Sequence, residues 1–343
     1  MARKTSQQRR VEALLKTQTA AIRRAFLDAM SKASGAIDRP KLLRLIRESR
    51  FEEAIQLFRI DRGALYPLER AIQDALIGGG LSVAADLPKG LSGVFGFDGN
   101  HSRAVALAQE QAAALVTNIT DDAIINARRV ITEGLTDNRS LNSVARDLIG
   151  RKVGQQRVGG IIGLTSPQTD QVIHARALLS DPELIRSYFI QDRETGVMKP
   201  RYSLSDRRFD RMIKSAISEG RALSQADVDR VMDAHKAKAT GYRGKVVART
   251  EAFTAQATGR SEGYRQLIDS GKVEAVTKKW VHGLSLNARE DHRRMDGEVI
   301  GFDELFVMDD GARMRFPHDP NVGVQHSINC RCTVFYRTIT AKD

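Results

Sequence analysis

The residues best suited to chemistry are crowded into the last sixty positions of this 343-residue chain. Its two cysteines, Cys330 and Cys332, stand one residue apart, and four of its seven histidines (His282, His292, His318 and His326) lie in the same stretch. Thiolate and imidazole are the usual donors to tetrahedral zinc. His292, His318 (or His326), Cys330 and Cys332 are therefore a candidate ligand set for one structural Zn²⁺, although the spacing is not that of a zinc finger. On an extended strand Cys-x-Cys turns both side chains to one face, which permits shared ligation without requiring it. A disulfide between them would be strained and would need an oxidising compartment. The alternative is that the cysteines are small buried apolar groups, with the histidines satisfying buried backbone groups.

Two catalytic readings draw on the same residues. Cys330 with His292 or His318 and Asp296 imitates a Cys–His–Asp set, but no helix N-terminus stands beside the cysteine to activate it. His292, Asp296, Asp319 and Asn329 are residue types that a metal-dependent nuclease would use. Upstream, Arg249 and Glu251 sit two apart in a long predicted helix, on different faces, so they are not a local ion pair. Each is expected to reach the C-terminal module, with Arg289 and Arg331 as candidate partners for Glu251 in a charge network.

The elements that must position these groups are mostly helical. Val11, Leu14, Leu15, Ile22, Phe26 and Met30 recur at helical spacing. Asp38 and Pro40 open a second helix, and a third runs near Pro67–Leu76 and is expected to stop at Gly78–Gly80. Residues 79–100 read as a link. Helices follow at about 103–116, from Thr120, and from Ser140 to Gly150. Residues 151–165 read as glycine-rich turns, since no phosphate-binding fingerprint is present. Ser166-Pro167 starts another helix, and 181–223 is charged and irregular. Ser224 and Asp227 start a helix to about Ala239. A long helix then runs from about Arg243 to Ser270 and ends at Gly271. Beyond it K-K-W-V-H-G-L, G-E-V-I-G-F and C-T-V-F-Y-R-T read as short strands. The predicted class is mainly α, with a small α+β C-terminal module. The predicted regions are a basic helical block (1–150), a helical middle (151–240), and a long helix with the module (241–343).

The net charge is +12, and residues 1–60 hold 14 Lys/Arg against 6 Asp/Glu. Arg9, Arg10, Lys16, Arg23 and Arg24 are the candidate contacts for a polyanion such as duplex DNA. The rival reading is a solvated arginine-rich helix face. No aromatic ladder for single strands and no spacing for base readout is visible. No apolar run approaches the roughly 20 residues needed to cross a bilayer. No signal peptide is visible, so a soluble protein made in the cytoplasm is expected.

Taken in order, A-R-T-E-A-F-T-A-Q-A (248–257), K-W (279–280), R-E-D-H-R-R-M-D-G (289–297), F-D-E-L-F (302–306), F-P-H-D-P (316–320) and N-C-R-C (329–332) resemble the phage Mu F-like minor head protein family, over about 245–336. The resemblance implies a structural, non-enzymatic protein of a tailed phage or prophage. It would be present in few copies inside the capsid, touching portal, scaffold or major capsid proteins and assisting assembly, DNA packaging or delivery. Arg249, Glu251, Trp280, Arg289, His292, Asp296, Gly297, Pro317, Asn329, Cys330 and Cys332 carry the match, as fold-defining and candidate metal-binding positions. Some relatives continue into toxin domains, and none is expected after Asp343. The rival expectations are a metal-dependent nuclease using His292, Asp296 and His318, and a basic nucleic-acid-binding protein outside any virion.

Overall fold

The computed structural model describes residues 5–154, 156–283 and 289–340. In chain order its helices are α1 (Ser6–Ala36), α2 (Arg39–Arg47), α3 (Phe51–Gln56), α4 (Arg62–Leu81), α5 (Lys89–Ser92), α6 (Ser102–Thr136), α7 (Leu141–Ile149), α8 (Ser166–Ser180), α9 (Asp210–Ser218), α10 (Gln225–Asp269), α11 (Glu290–Arg294) and α12 (Val324–Ser327). Its strands are β1 (Arg151–Val153), β2 (Gln156–Val158), β3 (Phe189–Gln191), β4 (Met198–Pro200), β5 (Ala275–Val281), β6 (Val299–Gly301), β7 (Phe306–Val307), β8 (Arg313–Met314) and β9 (Thr333–Ile339). The fold is mainly α with a small α+β module at its C-terminal end, as the sequence predicts. Among the described residues no helix is long and apolar enough to cross a membrane.

Local chemistry explains most boundaries. The Asp38 carboxylate accepts from the Lys41 N–H and caps α2, with Pro40 in the first turn. Ser140 caps α7 by accepting from Ser143, and Gly150 ends it at φ +75°. The α8 cap falls on Thr165, one residue before the predicted Ser166. Thr165 and Gln168 form a reciprocal capping box there, and Pro167 lies in the first turn.

Four expectations need correction. α4 runs through Gly78–Gly80 instead of stopping there, and close packing against α10 needs a glycine at Gly79 within the helix. A Cβ at Gly79 would stand 2.5 Å from the Gln256 carbonyl oxygen, and one at Gly259 would stand 1.9 Å from that of Leu76. The two helices predicted at 103–116 and from Thr120 are one helix, α6. Its buried series Ala112, Leu115, Ile119, Ala123 and Ala127 continues in phase, and the Thr120 hydroxyl donates back to the Val116 carbonyl at 2.9 Å instead of capping. Likewise the break at 239–243 does not occur in α10. Segment 181–223 is not merely irregular, for it holds the β3–β4 hairpin and α9.

The chain forms two units, each assembled from separate segments. The unit made of Leu27–Leu65 and Val116–Gly244 is helical and carries the β1–β2 and β3–β4 hairpins. Within it a charge network is buried among Leu148, Ile149, Leu179 and Met232. Asp147 accepts from Lys236 at 2.5 Å, Arg139 at 2.5 Å and Arg176 at 2.9 Å, while Arg176 also pairs with Asp229 at 2.8 Å. Burial alone would raise the Asp147 carboxyl, yet these three cations hold it below the ordinary carboxylate range.

The other unit gathers Met1–Phe26, Tyr66–Leu115 and Lys245–Asp343. Its sheet has the order β6-β5-β9, all antiparallel, with Trp280 opposite Val334 and Lys278 opposite Tyr336. One face of β5 and β9 (Val276, Lys278, Trp280, Val334, Tyr336) is buried. Its apolar members join Tyr264 and Leu267 of α10 in a cluster that also holds Phe306, Met314, Phe316 and both cysteines. Leu284, the last residue of the first predicted strand segment, lies outside the described residues.

Candidate functional site

The C-terminal module brings together three of the four predicted zinc ligands. His292 comes from the short helix α11, while Cys330 and Cys332 lie in the segment leading into β9. The Nδ1 of His292 is 3.3 Å from the Cys330 sulfur and 3.7 Å from that of Cys332. The donor atoms of all three lie within 4.8 Å of one another, and the three residues are buried. Both thiols are free. The Cys332 N–H points at the Cys330 sulfur at 3.3 Å. Hydrogen bonding from Cys332 holds the Cys330 thiol below its ordinary range, whereas donation to Cys330, with burial, pushes Cys332 far above it.

The ring of His292 is fixed on two sides. Trp280 meets it edge-on at 5.5 Å, and His326 stacks on it at 5.9 Å with the planes 7° apart. His326 in turn contacts Asp310 at 2.9 Å through Nε2. Asp291, His292 and His326 form a second group of donor atoms within 4.8 Å. A close approach supports the cluster as well. A Cβ at Gly283 would fall 2.2 Å from the Arg331 carbonyl oxygen, so only glycine lets these two segments meet.

His318 is the member of the predicted set that stands apart. It belongs to no such donor group with His292 and the cysteines. It is buried, with φ +67°, beside the Phe253 ring at 4.9 Å, and neither ring nitrogen completes a hydrogen bond. Burial, with His292 and Arg289 nearby, lowers its pKa to about 3, weakly opposed by the Cys330 backbone. Asp296 is likewise occupied elsewhere, accepting from the His282 N–H at 2.8 Å. His292, Asp296 and His318 therefore do not assemble as one ligand group among the described residues.

The other positions carried by the resemblance have structural work. Trp280 is fully buried at the centre of the apolar cluster. Gly297, at φ +92°, donates to the Trp280 carbonyl at 3.0 Å. Arg289 donates to the Ile328 carbonyl at 2.9 Å, and Arg249 approaches the Asn329 amide oxygen at 3.4 Å. Asn329 holds φ +58°, and Pro317 is buried. Glu251 meets neither Arg289 nor Arg331. Its carboxylate accepts from the Gln111 amide at 2.9 Å, and burial pushes its pKa up to about 7.

Three features escape the sequence reading. Arg260 is buried, donating to the Val334 carbonyl and to Asp86, both at 2.9 Å. Its signal is that it falls in phase with the buried Tyr264 and Leu267. Lys278 shares the buried face of β5 with Val276 and Trp280. It donates to the Phe302 carbonyl at 2.8 Å, and burial lowers its pKa to about 8. The third feature is a basic cleft in the other unit, lined by Arg39, Arg146, Arg151, Lys152 and Arg157 with Asp229. Of the five predicted polyanion contacts, Arg9, Lys16, Arg23 and Arg24 are exposed on α1. Arg10 instead pairs with Asp86.

Comparison with known proteins matches residues 208–335 to the family described as Phage Mu protein F like protein. Uncharacterized protein YqbB of Bacillus subtilis (strain 168) is 36% identical over 95 residues, which is 27% of this chain and 30% of that protein. Minor head protein GP7 of Bacillus phage SPP1 is 30% identical over 94 residues, 27% of this chain and 29% of that protein. The match thus spans under a third of either relative. No solved structure matches. The family match begins at Arg208, upstream of the motifs that suggested it, and takes in α9 and the whole of α10. Over residues 208–335 this chain thus resembles the family described as Phage Mu protein F like protein.

Proposed function

We propose that this chain is a minor head protein of a tailed bacteriophage, a non-enzymatic component of the virion that assists head assembly or DNA handling from inside the capsid. The observation that carries this reading is the family match over 208–335 together with the identity to a phage minor head protein. The site geometry supports the non-enzymatic part. The positions that carry the resemblance are spent on buried packing and hydrogen bonds, and among the described residues His292, Asp296 and His318 do not form one donor group.

Its partners in this reading are the portal or inner capsid proteins and duplex DNA, bound without sequence preference. The basic cleft supports the DNA contact. Among the described residues Lys152 and Arg157 have no acidic partner, and burial together with the neighbouring Arg39 charge lowers the Arg157 pKa. Such a surface gains by neutralising phosphates and releasing their counterions.

Quantitative mass spectrometry of purified particles and empty proheads tests the proposal. A few copies per particle in both is the expected result. Absence from both overturns it.

A further inference from the structure

We propose that His292, Cys330 and Cys332 are three ligands of one zinc ion that holds the C-terminal module together. Zinc–sulfur bonds of about 2.3 Å and a zinc–nitrogen bond of about 2.0–2.1 Å, set at the tetrahedral angle, place sulfur and nitrogen donors about 3.5–3.6 Å apart. The two sulfurs stand 3.3 and 3.7 Å from the His292 Nδ1, on either side of that value. That nitrogen has a single lone pair, so it cannot accept a proton from both thiols, whereas an ion between them satisfies all three donors. Backbone N–H groups also surround the sulfurs. Those of Arg331 and Cys332 lie against Cys330, and that of Gly283 lies against Cys332.

The cluster sits where an ion would tie two parts of the module: His292 lies on α11, after β5, and the cysteines lead into β9. The soft N,S,S donor set selects zinc over magnesium or calcium. Among the described residues no further donor joins this group with both cysteines.

The test uses the full chain, purified without chelator. Elemental analysis is expected to find about one zinc per chain, and EDTA is expected to lower the thermal midpoint, with zinc restoring it. Loading with Co²⁺ should give a thiolate-to-cobalt absorption band. Cys330 and Cys332 are the two cysteines of the chain, so its origin is unambiguous. Cys332→Ser should weaken the band and lower zinc affinity by more than the roughly 10–100-fold that loss of an outer hydrogen bond costs. A zinc-free chain whose midpoint ignores both EDTA and added zinc, with no cobalt band, overturns the proposal even if every variant fails to fold. These readouts are independent of whether the protein is found in particles.

Discussion

Glu251 is a carboxyl poised to hold its proton near neutrality. Burial raises its pKa from 4.5 to about 7, and the Gln111 amide only partly offsets this. The folded chain therefore keeps a proton that the unfolded chain releases above its ordinary pKa, so stability declines as pH rises from about 4.5 to 7 and then levels off. Replacement by Gln should remove that decline, worth on the order of 3 kcal/mol or less, as read by urea unfolding at a series of pH values. Asp147 has the opposite sign: its depressed pKa contributes stability above the ordinary carboxylate range that is lost on acidification. Asp147→Ala leaves Arg139, Arg176 and Lys236 buried without their shared anion. A loss of about 3–5 kcal/mol is expected in denaturant titration at neutral pH.

At the scale of elements, the α4–α10 contact is made by glycines meeting backbone. Gly79 lies on the Gln256 carbonyl, Gly259 on that of Leu76, and Gly263 near that of Gly80. Carbonyls inside helices cannot step aside as side chains can. Gly259→Val should therefore destabilise by at least about 1–3 kcal/mol, whereas Gly241→Ala, in open space on α10, should be neutral or slightly stabilising by thermal melt. This contact also shows what the sequence could and could not convey. Three consecutive glycines carry the signature of a helix stop, and only the partner helix reveals Gly79 as a packing position. Caps at Asp38 and Ser140, the terminating Gly271 and the alternation in β5 and β9 were legible because they depend on neighbours in the chain. The His/Cys cluster was legible only in part. His292, Cys330 and Cys332 converge, but His318 shares their composition without sharing their position. Glu251 found Gln111 rather than an arginine, because a pairing across 140 positions leaves no local mark.

At the scale of the whole molecule, the net charge of +12 is concentrated toward the N-terminus, where residues 1–60 hold 14 Lys/Arg against 6 Asp/Glu. The N-terminal excess points to α1, yet Arg10 is engaged with Asp86, and the cleft around the β1–β2 hairpin gathers five further cations. If the hairpin contacts phosphates, replacing Arg151, Lys152 and Arg157 by Ala should flatten the dependence of log affinity on log salt by about 2–3. Fluorescence titration of unrelated DNA duplexes would measure this, and equal loss on every sequence is expected. Replacing Lys16, Arg23 and Arg24 provides the comparison, and an equal or larger flattening there would shift the contact to α1.

The sheet order carries a consequence for how the protein is made. β5 is the central strand, and its longer partnership is with β9, which pairs along all seven of its residues. About fifty residues separate the two strands. At a synthesis rate of roughly 5–20 residues per second, a ribosome takes about 3–10 s to cross that interval. Throughout that delay the nascent chain presents a strand edge, with Trp280 on it, that has no permanent neighbour. Such an edge is a template for pairing with other chains. The interval is thus the period in which a chaperone, or a slower codon choice downstream, would have the greatest leverage on the yield of folded protein.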